Sequence, residues 1–426
     1  MRTGVRGYVG VVVGMAMAAA GAVPVWADDP GVAGDKAELQ VLRARLDKLE
    51  EKVALQEASA AGAEPGNAVL NMPSGLSGVG ISGFVDTIYS YNFNEANNRL
   101  SAFRVFDTRA GDFMINNAQI NLDKAVSPES PVGFKTELMF GTDAEVVGGV
   151  TTGLGVTTNE VELQEGYVEY LAPVGNGLDV KVGKFATLNG AEVIESKDNW
   201  NISRSFLFGY AIPFTHTGVR TTYPWTEMLS TVVGISNGWD VVDDNNKAKT
   251  LEFGAMVTPL DGLSIAGTYM VGAEQGGNGH DSRHLLDLVA TYQPTDALTL
   301  KLNTDIAREE DVVSATGGGN ATWNGLAAYA RYALNEQAAI SGRWEIFNDN
   351  DGVRTAINVA GTSPTGSGIA DAQFMSYTLT GEYKLHKHLI GRVEYRLDTA
   401  DSALFRHDQG FENYQNTVAF ELIAPF

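Results

Sequence analysis

The chain has 426 residues, a formal net charge of −22, 48 glycines and no cysteine. The lack of cysteine excludes a disulfide framework, a thiolate metal site and a cysteine nucleophile. So acidic a chain is a poor partner for nucleic acid, and its glycine content suits many turns and extended segments better than a helical enzyme.

The first predicted element is a leader. Arg2 and Arg6 precede an apolar, small-residue-rich run from Val9 to Val25, and Val25-Trp26-Ala27 offers a cleavage site. The pattern predicts a secretory signal peptide over 1–27, set aside before the fold is considered. Beyond it no stretch approaches the ~20 apolar residues that a membrane helix needs. If this chain spans a membrane, it does so with strands. Residues 35–57 read as a helix: Leu39, Leu42, Leu46, Leu49 and Val53 step by three and four, an a/d seam flanked by charge. A helix this short is marginal alone in water, so the seam predicts a short periplasmic coiled coil and hence a homo-oligomer. Residues 58–78, rich in Ala, Gly, Pro and Ser, read as a flexible linker.

From residue 79 onward one theme repeats: an extended segment of roughly ten residues with period-two polarity, then a connector. The segments are 79–92, 112–123, 132–141, 161–172, 177–186, 212–223, 227–238, 249–258, 262–273, 283–293, 297–308, 322–333, 337–348, 373–385, 388–398 and 414–426. Connectors after even-numbered segments are mostly short, such as Pro224-Trp225-Thr226, Pro259-Leu260-Asp261 and His386-Lys387. Those after odd-numbered segments are long and polar, such as Asn237 to Ala248, Asp349 to Ala372 and Thr399 to Asn413. Short periplasmic turns against long external loops are the pattern of a transmembrane antiparallel β-barrel, here all-β with about 16 strands over 79–426. A soluble sandwich has no reason to sort its loops by parity.

Alternation assigns the faces. Phe134, Leu138 and Phe140 are expected to meet lipid while Lys135, Glu137 and Met139 face the lumen. Ile340, Trp344 and Ile346 oppose Arg343 and Glu345, and Val393, Tyr395 and Leu397 oppose Arg392, Glu394 and Arg396. An outward apolar set with an inward charged one inverts a water-soluble barrel.

One connector departs from the rest. The third external loop, 187–211, carries Val193, Ile194, Trp200, Ile202, Phe206, Leu207 and Phe208 beside its charges. Apolar residues on a long loop imply packing against something, and in a barrel that is most simply the inner wall. The loop's Glu192, Glu195, Lys197, Asp198 and Arg204 are therefore the predicted pore constriction. Inward bases Lys301, Arg331, Arg343, Arg392 and Arg396, with Lys135, Lys181 and Arg220 nearer the loop's root, are expected to face it across the opening. Opposed rows of charge select ions by sign. Arg204 has a second reading, in which it pins the loop to a wall carboxylate.

Several motifs then converge. Gly183-Lys184-Phe185, Gly190-Ala191-Glu192, Asn201-Ile202-Ser203-Arg204-Ser205 and Phe208-Gly209-Tyr210-Ala211-Ile212-Pro213-Phe214-Thr215-His216-Thr217-Gly218 resemble the β-barrel porin-2, or OmpL-like, family. Ile81-Ser82-Gly83-Phe84-Val85-Asp86 and Phe113-Met114-Ile115-Asn116 are similar to it as well. The resemblance covers about Gly80 to Phe426. It implies an outer-membrane porin of a Gram-negative bacterium that passes ions and small hydrophilic solutes, with outer-membrane lipid around it. A trimer is the assembly that fits porin precedent. The last strand alternates to its final residue, with Val418, Phe420, Leu422, Ala424 and Phe426 on one face. It resembles the C-terminal signal that the barrel assembly machinery reads, with Phe426 and Phe420 as its aromatics.

Other readings are weaker. Ser282 beside His280 or His284 is sequence proximity rather than triad geometry, so an enzyme is not expected. Asp349-Asn350-Asp351-Gly352 echoes a calcium loop, but its first ligand position would be Phe347. No metal or other cofactor is expected. The alternative function is a non-conducting structural or adhesive barrel tethered through its coiled coil.

Overall fold

Strand after strand, side chains that alternate between apolar and polar commit the backbone to two different solvents, and the computed structural model shows how the ladder closes between them. It describes residues 78–426 apart from 97, 152–159, 315–316, 356–370 and 409. The predicted signal peptide, the coiled coil and all but the last residue of the linker lie outside the described residues.

In chain order the strands are β1 (Gly80–Asn92), β2 (Phe113–Lys124), β3 (Val132–Phe140), β4 (Val161–Ala172), β5 (Leu178–Ala186) and β6 (Thr215–Thr226). There follow β7 (Leu229–Ser236), β8 (Thr250–Leu260), β9 (Leu263–Ala273), β10 (Ser282–Tyr292), β11 (Leu298–Ser314) and β12 (Gly317–Ala333). The chain ends with β13 (Ala338–Asp349), β14 (Ala372–His386), β15 (Leu389–Ala400), the short pair β16 (Phe405–His407) and β17 (Gly410–Glu412), and β18 (Tyr414–Pro425). Sixteen of them, all but β16 and β17, form one closed barrel of sequential neighbours. Every ladder is antiparallel, and β1 closes on β18 with Phe84 opposite Pro425 and Asn92 opposite Thr417. Phe426 completes the seam by exchanging backbone hydrogen bonds of 2.9 and 3.0 Å with Gly83. Closure removes the edges that would otherwise expose unpaired amides, which hydrocarbon cannot satisfy.

The faces fall as alternation requires. Phe420 is 50% exposed while its neighbour Glu421 is 3% exposed, and on β13 Ile340 points outward while Ser341, Arg343 and Glu345 are buried within. Two expected turns are displaced. Pro224-Trp225-Thr226 belongs to β6 and Pro259-Leu260 to β8, so the turns are Glu227-Met228 and Asp261-Gly262. Both prolines sit where the register shifts, between Pro224 and Thr226 and between Val257 and Leu260. A residue without an N–H is tolerated where the ladder is already interrupted. β11 and β12 are also longer than expected, at 17 residues each, and they pair as far as Ser314 opposite Gly317.

The barrel mouth holds more than one loop. The second external loop opens with an unexpected helix, α1 (Thr142–Thr151). Phe103 and Phe106 of the first loop, Ala144 and Val147 of α1, and Leu404 and Phe405 of the last loop join Phe206, Leu207, Phe208 and Phe214 of the third. Together with Trp323, Phe347 and Phe374 of the wall they form one apolar cluster inside the barrel.

Candidate functional site: the inward loop and its clamp

The third loop leaves β5 through a glycine that no other residue replaces. Gly183 has φ +140°, and a Cβ there would lie 2.3 Å from the Gly166 carbonyl oxygen. His216 on β6 ties the loop's two ends, with Nε2 3.2 Å from Thr187 Oγ1 and Nδ1 3.4 Å from the Gly238 carbonyl. Beyond Thr187 the loop crosses the lumen and is fastened at successive wall strands. Asn303 Oδ1 on β11 accepts from Ala191 N–H (3.3 Å), and the Asn201 amide donates to Thr380 Oγ1 on β14 (2.8 Å). Ser196 Oγ donates to Asp86 on β1 (2.7 Å). Gln164 on β4 donates to Glu195.

Residues 202–206 carry the strongest part of this attachment. Glu394 on β15 accepts from the backbone N–H groups of Ile202 (2.7 Å) and Ser203 (3.1 Å). Glu345 on β13 accepts from Phe206 N–H (2.6 Å), and Glu192 of the loop itself accepts from Ser205 N–H (2.8 Å) and Oγ (2.5 Å). Carboxylates taking backbone N–H groups make charge-assisted bonds, roughly twice as strong as neutral ones. The loop then turns through a π-helical segment, Leu207–Ala211, whose Ala211 carbonyl accepts from Trp323 Nε1 (3.0 Å). Leu207 fits because β12 carries Gly325, where a Cβ would sit 2.6 Å from Leu207 Cδ1.

The wall arginines hold the loop rather than stand opposite it. Arg343 donates to Glu192 Oε1 (2.6 Å), the Ser203 carbonyl (2.6 Å) and Thr378 Oγ1 (3.2 Å). Arg392 bridges Glu382 (2.8 Å) and Glu421 (3.1 Å) and donates to the Ser196 carbonyl (2.8 Å). Arg396, fully buried, donates to the Arg204 carbonyl (2.6 Å) and to Asp398 (2.6 Å), with its guanidinium over Phe206. Lys301 reaches the Ala191 carbonyl (3.4 Å) and lies 4.3 Å from the Trp200 ring centroid. The sequence reading sets these four cations across an opening from the loop; the structure puts them in contact with it.

Arg204 donates to the carbonyls of Val193 (3.2 Å), Ile202 (2.8 Å) and Ile194 within its own loop and covers Phe106. Arg220 pairs with Glu252 (2.7 Å) and donates to the Ala186 carbonyl (2.9 Å) at the loop's root. Lys135, Lys181 and Arg331 stay clear of the loop. Lys135 bridges Glu137 (2.8 Å) and Glu165 (2.6 Å), Lys181 lies 3.4 Å from Glu169, and Arg331 pairs with Glu382 (2.6 Å). These lumen cations remain partly exposed, as do Lys197 and Asp198, a 2.6 Å pair at the loop's tip. Partly exposed charge thus lies on β3–β5, at Arg331 of β12 and at Lys197-Asp198, while the ion pairs of β13–β15 with the loop are buried.

Reasoning from sequence missed two groups of residues. Glu345 and Glu394 were visible as inward carboxylates between arginines, yet nothing local shows that they receive loop amides. Arg104 and Asp107 of the first loop were not singled out. Arg104 pairs with Asp107 and, at 2.8 Å, with Asp398, which hold its guanidinium above its usual pKa against the opposing cost of burial. Among the described residues no group of three or more metal-ligating side chains assembles. Asp349 of the calcium-like stretch accepts instead from Arg354 N–H (3.0 Å) and Thr355 N–H (2.7 Å).

A closed sixteen-stranded barrel, apolar outside and charged within, with a long loop fastened inside it, defines a porin-type channel of the bacterial outer membrane. A family model described as Putative beta-barrel porin-2, OmpL-like matches residues 78–426, and the chain belongs to that family. Among solved structures it is similar to an anion-selective porin from Comamonas acidovorans (TM-score 0.54, 14% identity, covering 82% of this chain and 99% of that one). It is also similar to OmpF of Salmonella typhi, solved in complex with daunomycin (TM-score 0.55, 12% identity, 82% and 97% covered). A third similar structure is the outer membrane channel DcaP of Acinetobacter baumannii (TM-score 0.53, 12% identity, 82% and 97% covered). At these identities the likeness shows the fold. No curated protein matches the chain.

Proposed function

We propose that this protein is an outer-membrane porin through which ions and small hydrophilic solutes diffuse passively, with loop 187–211 as its constriction. One observation carries the reading: the loop crosses the lumen and is fixed by buried ionic hydrogen bonds to β13 and β15. A narrowing built this way is rigid, and its water-facing charges act on whatever passes. Lys135, Lys181, Lys197 and Asp198 supply those charges in this reading, while Glu192 and Arg343 hold the loop in place. The assignment involves no covalent chemistry. It also includes a homo-oligomer, for which the trimer form of OmpT from Vibrio cholerae gives a precedent on the same fold, and insertion through the barrel assembly machinery guided by Phe426 and Phe420.

The test is the reversal potential of purified protein in a planar bilayer under a salt gradient. Replacing the two partly exposed cations, Lys135→Gln with Lys181→Gln, shifts the permeability ratio toward cations. An unchanged ratio removes β3 and β5 from the permeation path. A second reading, a non-conducting scaffold, is favoured by the extra apolar side chains that the first, second and last loops add to the mouth. The same bilayer separates the two, because a scaffold carries no current.

A further inference from the structure

Buried oxygens that lack donors collect where the second loop meets the wall. β2 bulges opposite Asp86: Asn117 pairs with Asp86, Ile115 pairs with Thr87, and Asn116 is the extra residue between them. A bulge re-aims a side chain, and here Asn116 and Asn117 are both buried within the barrel, at 5% and 0% exposure. Gly141 seats α1 on this bulge. Its φ is +114°, and a Cβ there would lie 2.7 Å from the carbonyl oxygens of Ile115 and Asn116. The first turn of α1 then brings Asp143 near enough to Asp86 for the two carboxylates to repel. Asp86 Oδ1, both carboxylate oxygens of Asp143 and the Oδ1 atoms of Asn116 and Asn117 are buried and meet no donor among the described residues. The Asn117 amide donates to Gln119 Oε1 (3.2 Å), which fixes its Oδ1 as the free acceptor. Arg204 and Arg392 stand close enough to attract Asp86, but their donors are engaged elsewhere. Arg204 serves carbonyls of its own loop, and Arg392 serves Glu382, Glu421 and the Ser196 carbonyl.

We propose that Asp86, Asn116, Asn117 and Asp143 bind one calcium ion, which ties α1 to the β1–β2 wall. Because Ser196 Oγ donates to the other oxygen of Asp86 (2.7 Å), the same ion steadies the tip of the third loop. The donor set is all oxygen, carboxylate and amide, as a hard cation requires, and calcium accepts an irregular shell of such ligands. Magnesium demands near-ideal octahedral geometry and gives up its waters reluctantly, which a buried site does not suit. A water molecule would serve these oxygens poorly, since it has two hydrogens to donate and leaves both carboxylate charges in place. When no ion is bound, a proton on Asp143 relieves the same repulsion. Proton and calcium therefore compete, and binding weakens as pH falls.

The test uses full-length protein in detergent, treated with EDTA, dialysed against calcium or magnesium chloride at pH 8 and passed through a desalting column. Metal analysis of wild type finds one calcium per barrel, and calcium but not magnesium raises its melting temperature, as a ligand specific to the folded state must. Asp86→Asn and Asp143→Asn, which keep the shape of each side chain, each weaken calcium binding by about tenfold or more, since affinity follows the charge of the ligands. In EDTA the Asp143→Asn protein is the more stable one, and calcium stabilises wild type alone. No retained calcium in wild type, equal stabilisation by magnesium, or undiminished calcium binding by both aspartate variants overturns the proposal. Heat-modifiable migration on gels confirms that each variant folds. Asn117→Ala, which removes an oxygen without changing charge, gives a further loss of affinity and carries the test if an aspartate variant fails to fold. Neither readout needs current, so a silent barrel that still binds calcium overturns the porin reading and leaves this one standing.

Discussion

A carboxylate locked to a buried guanidinium has a different job from one that faces water, and Glu192 is of the first kind. It is 6% exposed and holds Arg343 at 2.6 Å while capping Ser205. Removing one partner of a buried pair costs ~3–5 kcal/mol because the other charge is stranded. Here Glu345 remains 3.5 Å from Arg343, which places the cost near the lower limit. Glu192→Gln is therefore predicted to raise the detached population of the loop by about 100-fold, at ~1.4 kcal/mol per tenfold. Trypsin cleavage after Lys197 or Arg204 reads that population directly; a rate equal to wild type's would show that the clamp lies elsewhere. Gly325 makes a steric prediction at the same scale. Gly325→Val displaces Leu207 from the wall and widens the channel, seen as higher single-channel conductance, whereas the same change at Gly381, on the lipid side, leaves conductance alone. The sequence made the inward direction of Arg343, Arg392 and Arg396 legible, since alternation alone dictates it. It did not show which loop groups they touch, because those carbonyls lie 140 residues or more away along the chain.

At the scale of elements, strands and loops differ in what they disclose. A strand announces itself through its own period, so the existence and faces of all sixteen barrel strands could be read locally. Their ends could not: Pro224 and Pro259 look like turn residues and are in fact bulged strand positions. The inward packing of loop 187–211 was legible from its misplaced apolar residues. The inward packing of α1 was not, because its sequence is mostly small and valine-rich with no seam. The helix does carry a titratable group. Asp143 is 1% exposed, and burial pushes its carboxyl up to about 8, against the opposing pull of Arg204. An acid whose pKa is raised in the docked state keeps a proton that the undocked state releases. Docking is then strongest at low pH, weakens as pH rises above the ordinary carboxylate value, and carries the full penalty above about 8. Asp143→Asn is predicted to raise the melting temperature at pH 9 more than at pH 5. An equal change at both pH values would show that Asp143 is ionised throughout.

For the whole molecule, the design divides the barrel into two halves. The β13–β15 side is occupied by buried ion pairs that seat the third loop, and the β3–β5 side keeps partly exposed lysines and glutamates. Buried pairs contribute little net stability against a well-packed apolar alternative, and fixing one arrangement is their better-attested use. On the proposed reading, a loop held this way sets a fixed cross-section for the lumen, which a solute filter requires and a mere scaffold does not. Single-channel conductance of the wild-type protein, compared with a variant in which residues 191–206 are replaced by a short glycine–serine bridge, tests that account most directly. The account predicts a steady conductance for wild type and a larger one once the loop is removed. A silent wild-type barrel, or the same conductance from both proteins, would contradict it.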